Sequence, residues 1–590
     1  MIDKVPPETA TTIFSHLPIS DIHSLQLASK SLNDFVKSNE GAVYQSAAIV
    51  HGFVASDNVE LEQLEELYPS EVLVGMERTW KALCQRMFQL DKNWRGDGRA
   101  YLTCFPKAGC KPAGIKVDEK RGFIINITDL EGDDSGLIVV DKNDNVLWSQ
   151  PWPFLKCGRM EYENGYLIFS ENDDQEPGYK EIWRLASIPD PAPPKNSSQA
   201  LGSPYPTLQQ KTLSDVCYNA NKGTYPHGHF VPHASLPQYT SDAVFQFRYP
   251  TLMSMTSETS VAFYDVPTRE LVHTVTLSST IELHGIDESL SIPDLGRIWS
   301  AEFNSTHIFL CAVRKGFRTY DRETGKCVLD VPADRWIYAS RLIRMVDPAE
   351  QAEEEDHSIG PEPRNLNQIR KAKLESIIGA SRKVLDVNKI IWKDPGERPH
   401  DEAPERLLIP VVTYEDSATS EPSVPHLALD SVRVSKCGNH LVCLSRHVER
   451  PRPGAGSVYL VIVRDLQKIL PSDTGVLAKQ AVQIDLGADR AVFGFDGERR
   501  VFVVTSEPKR DAAFIVDLGD FLSSSGNVKI GRAVSFDCDD AFELEITNYG
   551  VYVGWDAAHI NGWKKWTKPG KKPDFDWGTH ICGLDFAVWD

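Results

Sequence analysis

Two segments, 261–275 (VAFYDVPTRELVHTV) and 317–331 (FRTYDRETGKCVLDV), carry the same order of features: a strand ending on Tyr and Asp, a tight polar turn, and a second strand. Period-two runs punctuated by Gly, Asn and Asp are a strand and turn grammar. Weaker copies of the junction fall at Val140-Asp141, Trp183-Arg184, Arg464-Asp465, Val516-Asp517 and Trp555-Asp556. Seven repeats of one supersecondary unit constrain the fold more than any other feature of the chain.

Radial closure removes the exposed sheet edges that a stacked pair of sheets would leave, so a β-propeller of about seven blades is expected over 99–590. Closure needs both ends of the domain: Tyr101–Phe105 is expected as the outer strand of a blade begun by the last residues, with 584–589 nearby. The intervals from Arg184 to Asp265 and from Asp321 to Asp465 exceed one blade of roughly 40–45 residues. The excess reads as insertions at 187–239, with PDPAPP and NSS, and at 346–425, with EEED and repeated Pro. In the second, Leu366, Ile369, Leu374, Ile377 and Ile378 suit a loose helical face.

The first ninety residues obey a helical grammar instead. Pro6 and Pro7 suit a helix start, Glu8 favours the positive end of the helix dipole, and Ile13, Phe14 and Leu17 follow before Pro18 stops the run. Ser20 reads as an N-cap, ahead of Ile22, Leu25, Leu27 and Leu32 near helical spacing. Segments 42–54 and 61–90, the second broken at Pro69, read as further helices.

Residues 5–32 resemble an F-box, the module that plugs a substrate receptor into the Skp adaptor of SCF-type ubiquitin ligases. Val5 and Pro6 occupy its Leu-Pro opening, and Glu8, Ile13, Leu17, Pro18, Asp21, Ile22, Leu25, Leu27, Ser29 and Lys30 fall at matching positions without a gap. Thr9 replaces a usual aliphatic and Leu32 a usual Trp. The stretch 80–96, with Asn93, Trp94, Arg95 and Gly96, looks like the connector that F-box proteins place before a WD-repeat propeller. The repeats are WD-like but degenerate, without the family's Gly-His dipeptide.

The expected organisation is therefore multidomain: an all-α F-box at 1–40, a helical connector at 41–98, and an all-β propeller at 99–590. The resemblance implies a substrate-recognition subunit whose adaptor contacts are Val5, Pro6, Glu8, Ile13, Leu17, Pro18, Ile22 and Leu25, with a cullin reached through the adaptor. An alternative is a propeller scaffold with no role in ubiquitin transfer.

Composition narrows the partners. A net charge of −20 opposes the phosphate backbone, so nucleic acid is not expected. No run of about 18 apolar residues occurs and the N-terminus lacks a signal-peptide order, so no membrane contact and a cytoplasmic or nuclear location are expected. Eleven scattered Cys without a CxxC pair suggest reduced thiols. The chain has no GxSxG, HExxH, GxxxxGK[ST] or GxGxxG pattern, so neither an enzyme nor a cofactor is expected. His227, His229 and His233 are spaced like zinc ligands but lack a Cys or carboxylate beside them, and Asp129, Glu131, Asp133 and Asp134 lack the order of a calcium loop. For a protein target the better signal is 561–577, where Lys564, Lys565 and Lys568 alternate with Trp563 and Trp566, a composition suited to acidic or phosphorylated peptides. The alternative there is a solubilising hairpin. Arg335 and Arg341 form a second basic site.

Overall fold

The structure is a computed structural model that describes residues 5–54, 58–94, 100–105, 112–128, 136–151, 157–171, 179–190, 205–220, 227–237, 244–257, 259–282, 289–291, 298–312, 316–331, 342–346, 391–392, 409–411, 427–447, 458–469, 480–486, 488, 490–506, 512–523, 528–534, 541–556 and 579–587.

Four short helices open the chain: α1 (Pro7–Ser15), α2 (Ile19–Ala28), α3 (Lys30–Ser38) and α4 (Glu40–Val50). Pro18, rather than Ser20, takes the N-cap position of α2, because its extended backbone leads straight into Ile19. Ser29 caps α3, its hydroxyl accepting from the Leu32 N–H at 3.1 Å. Phe14, Ile22, Val36, Val43, Tyr44, Ala47 and Ala48 fill the core between these helices. The stretch at 61–90 is not one helix broken at Pro69. It forms α5 (Leu64–Leu67), α6 (Ser70–Leu73) and α7 (Trp80–Trp94), with a second break at Gly75, whose φ is +66°. Thr79 caps α7 through the Ala82 N–H.

Beyond α7 the described strands form seven sheets, each built on four antiparallel strands. The innermost strands are Pro112–Asp118, Cys157–Glu163, Phe245–Arg248, Ile298–Phe303, Leu427–Val434, Arg490–Phe495 and Ala541–Ile546, for blades 1 to 7. The ring is closed by Tyr101–Phe105, which pairs antiparallel with Thr579–Asp585 from Tyr101↔Asp585 to Phe105↔Ile581. The first strand of the domain is thus the outer strand of the last blade, and neither end leaves blade 7 with an open pairing partner.

The recurring aspartate has a physical cause: it closes the turn after the third strand. Asp141 accepts from the N–H groups of Asn143 and Asn145 at 2.8 Å, Asp265 from Thr268 at 2.9 Å, Asp321 from Thr324 at 2.8 Å, and Asp517 from Gly519 at 2.9 Å. Blade 7 corrects one assignment. Trp555-Asp556 ends its second strand, Gly550–Asp556, and the equivalent turn residue is Asp585, which accepts from the Ala587 N–H at 2.8 Å. Gly325 occupies the left-handed region at φ +71°, and a Cβ there would stand 2.0 Å from the Thr276 carbonyl oxygen. Gly325→Ala is therefore expected to destabilise the chain by about 1–3 kcal/mol, visible as a lower urea midpoint at unchanged slope.

Both insertions need correction. Within 187–239, Phe230–Pro237 is the outer strand of blade 2, paired with Tyr179–Leu185, and helix α8 (Leu208–Ala220) precedes it. Pro232, Pro237 and the histidines disguise it as loop. Within 346–425, Ile391–Trp392 and Ile409–Val411 join the sheets of blades 7 and 5. The segment from Leu366 to Ile378 lies outside the described residues.

Candidate functional site

The N-terminal helices divide their apolar residues between a core and an outer face. Ile13 is 49 % exposed and Leu27 76 %, while Leu17 and Leu25 are half-buried against the helical core. Pro6 and Glu8 are exposed, and Val5 and Pro18 half-buried. Ile22 is 0 % exposed, so it supports this face from behind and presents nothing to a partner. Leu27 falls at a matching position of the sequence pattern and is not among the expected contacts, yet it is more exposed than Ile13.

The α7 helix fixes these helices to the propeller. Trp94 stacks on Phe586 with ring centroids 4.1 Å apart, and its indole N–H donates to the Asn548 carbonyl at 3.1 Å. The buried Asn93 amide donates to the Phe586 carbonyl at 2.8 Å. Arg500 lies 5.0 Å from the Trp94 ring and pairs with Asp91 at 3.3 Å. On the far side of the same turn, Glu119 of blade 1 accepts from the Thr547 hydroxyl and from the N–H groups of Asn548 and Tyr549 at 3.2 and 3.0 Å. Burial pushes this carboxyl up to about 7 against those hydrogen bonds. The turn at 547–549 thus joins three bodies: the helices, the first blade and the last. Arg95 and Gly96 of the expected connector lie outside the described residues.

Six of the innermost strands send charged side chains into the central channel. Lys116 reaches Glu545 at 3.0 Å and Glu161 at 3.7 Å; Arg159 reaches Glu161 at 3.1 Å and Gln246 at 2.7 Å; Glu302 receives Arg248 at 3.0 Å and Arg433 at 3.3 Å. The seventh strand contributes Gly494, where a Cβ would stand 2.4 Å from Leu544 Cδ2. A cavity of about 280 Å³ lies at this level, bounded by Lys116, Glu163, Arg248, Lys436 and Asp496 among others. Asp496 belongs to the turn that leads to Arg500, so the cavity sits at the end of the channel nearest the helices.

Burial pushes the Glu543 carboxyl up to about 7, although Lys116 opposes the shift, and burial also works against the ionised Glu161, which Lys116 and Arg159 nevertheless hold below the ordinary range. A carboxyl raised on folding keeps a proton that the unfolded chain releases. Its contribution to stability is complete below about pH 4.5 and is lost as pH rises through about 7. Glu543→Gln is expected to raise the melting temperature at pH 8 by a few degrees and to leave it nearly unchanged at pH 4, measured by calorimetry at both.

The three histidines face different partners. The His227 Nε2–H donates to the Arg121 carbonyl at 2.8 Å, His229 is buried 5.3 Å from the Trp148 ring, and the His233 Nε2–H donates to the Val266 carbonyl at 2.8 Å. Burial pushes His229 and His233 down to about 4. Among the described residues no group of three or more His, Cys, Asp or Glu is placed to hold a metal, and no helix is long and apolar enough to cross a membrane. Asp129, Glu131, Asp133 and Asp134 lie outside the described residues, as do Trp563, Lys564, Lys565, Trp566, Lys568, Arg335 and Arg341.

A family model for the F-box domain matches residues 2–41, the helices that carry Ile13 and Leu27. The N-terminal helices are an F-box domain. The chain therefore joins an F-box to a seven-bladed propeller through α7. Among solved structures it is similar to the computationally designed Ika8 protein, at 9 % identity over 80 % of this chain and 96 % of that one, with a TM-score of 0.33. It is also similar to Hsv2 of Kluyveromyces lactis, at 7 % identity over 71 % of this chain and 84 % of that one, with a TM-score of 0.30. No curated protein matches the chain.

Proposed function

We propose that this chain is the substrate-recognition subunit of an SCF-type ubiquitin ligase. Its F-box binds a Skp-type adaptor, which brings in a cullin, and its propeller holds a protein target, acting by position and not by chemistry of its own. The observation that carries this reading is the F-box at 2–41 held to the propeller by the Trp94–Phe586 stack and the Asn93 and Trp94 hydrogen bonds. A receptor needs a fixed separation between adaptor and target, and a buried aromatic anchor with satisfied polar atoms supplies it.

The adaptor face comprises Val5, Pro6, Glu8, Ile13, Leu17, Pro18, Leu25 and Leu27, with Ile22 behind it. The target contacts are proposed on the basic and aromatic residues Trp563, Lys564, Lys565, Trp566, Lys568, Arg335 and Arg341. Asp556 and Thr579, which flank the first five, pair at the end of blade 7 remote from the turn that meets Trp94. The chain is proposed to act in the cytoplasm or nucleus.

Proximity capture with the proteasome blocked tests this reading, comparing wild type with an Ile13→Asp/Leu27→Glu variant. Both are expected to capture the same proteins, with ubiquitin chains enriched on them for wild type alone. Equal ubiquitination with the two would contradict the proposal.

A further inference from the structure

A left-handed backbone is natural for glycine and strained for most other residues, so a long side chain held in it asks for a cause. In the turn of blade 4, Gly325 stands four residues after Asp321 at φ +71°; in the turn of blade 3 the same place after Asp265 is taken by Arg269, at φ +65°. The two turns also match at Thr268 and Thr324, each of which donates its N–H to its aspartate. Blade 4 closes this turn with glycine. What the arginine adds in blade 3 is its side chain, buried at 8 % exposure beside blade 2.

There Arg269 meets Arg184 of blade 2, 9 % exposed, and a single carboxylate, Asp190, which is 52 % exposed. Asp190 Oδ1 accepts from Arg269 Nη2 at 2.6 Å and lies 3.9 Å from Arg184 Nε. The buried His233 steadies Arg269: its Nε2–H donates to the Val266 carbonyl, so its Nδ1 accepts from Arg269 Nη2 at 3.2 Å. Tyr166 packs edge-on against the same imidazole at 5.2 Å. Arg184 directs Nη1 to the Leu185 and Ile188 carbonyls. The Nε–H groups of both arginines are buried without an acceptor.

Neither charge nor hydrogen bonding is balanced in this cluster. Arg184, Arg269 and Asp190 are the charges that act on His233, which burial keeps neutral at pH 7, so two guanidiniums face one carboxylate. Each guanidinium presents a two-pronged edge, Nε with Nη2, and Asp190 occupies one prong of one of them. Buried donors in folded proteins are nearly always paired. A tetrahedral dianion supplies both the missing charge and the missing acceptor oxygens.

We propose that Arg184 and Arg269 form a phosphate site between blades 2 and 3, which a free phosphate ion or a small phosphate monoester enters by displacing the Asp190 carboxylate. Asp190 is the exposed member of the trio, so the ligand arrives where this carboxylate leaves. The recessed guanidiniums favour a small ion over an extended chain. The site is separate from the F-box, so its failure leaves the adaptor reading untouched.

Isothermal titration of the full chain with inorganic phosphate, with chloride at equal ionic strength as the control, tests the proposal. Wild type is expected to bind phosphate saturably at one site, and Asp190→Ala, which lacks the competing carboxylate, roughly tenfold more tightly or better. Asp190→Asn, which keeps the size of the side chain, should tighten binding in the same direction. Arg269→Gly should abolish binding yet melt within a few degrees of wild type, because glycine adopts the left-handed turn freely. Methyl phosphate separates the two sources: saturation by both ligands assigns the site to a monoester, saturation by inorganic phosphate alone to the free ion. Absence of saturable binding to wild type, or binding indifferent to Arg269→Gly, would overturn the proposal. So would binding by the Asp190 variants alone, which would make Asp190 the permanent partner of the two arginines.

Discussion

Trp94→Ala is expected to lower stability by about 3–5 kcal/mol and to release the helices from the propeller. The side chain is buried at 1 % exposure, stacked on Phe586 and covered by the Arg500 guanidinium, so truncation opens a cavity at the junction between the helices and the propeller. Limited proteolysis should cut the variant near α7 while leaving wild type intact, and thermal melting should split into two transitions. Trp94→Phe separates the contributions. It keeps the ring stack but loses the indole N–H to the Asn548 carbonyl, a loss of about 1 kcal/mol, and should melt as one unit. The turn that receives this bond also receives Glu119, so ring closure and docking of the helices are coupled through three residues.

Leu27→Glu is expected to weaken adaptor binding by roughly 100-fold or more while changing stability by less than about 0.5 kcal/mol. Leu27 is 76 % exposed, so a carboxylate there is hydrated in the free chain. In a complex it must lose that hydration, and the leucine's own burial, worth about 1.5–3 kcal/mol, is forfeited as well. Ile22→Glu gives the opposite pattern. That side chain fills the helical core, so the variant should lose the helical signal in circular dichroism and lose adaptor binding with it. The pair separates a docking face from its support, a distinction that apolar spacing alone does not draw.

That contrast also marks what a reading of the residues can reach. Ile22, Leu25 and Leu27 look alike in a helical pattern, and only the packing of α2 on its neighbours decides which of them faces inward. The blade repeat was legible because each Asp closes its own turn through neighbours two to four residues away, a local cause that leaves a local pattern. The same locality misled at Trp555-Asp556, where an aromatic and an aspartate meet at the end of a second strand, whereas Asp585 follows a leucine. Ring closure was predictable because a closed ring needs both ends of the domain in one blade, which leaves Tyr101–Phe105 to complete the blade of the last residues. The outer strand of blade 2 was hidden by Pro232 and Pro237, whose missing N–H groups are tolerated at an edge but read as loop. The channel charges were not legible at all. Lys116, Glu161, Glu302, Arg433 and Glu545 come from five blades, and nothing in their own neighbourhoods distinguishes them from surface charges until the ring closes.

The central claim is that the F-box of this chain engages a Skp-type adaptor. Isothermal titration of the purified full chain with a purified Skp-type adaptor tests it most directly, with Leu27→Glu run in parallel. A saturable complex of equal stoichiometry for wild type, lost or weakened about 100-fold in the variant, is the predicted result. No heat of binding with a folded wild type, or equal affinity for both proteins, would contradict it.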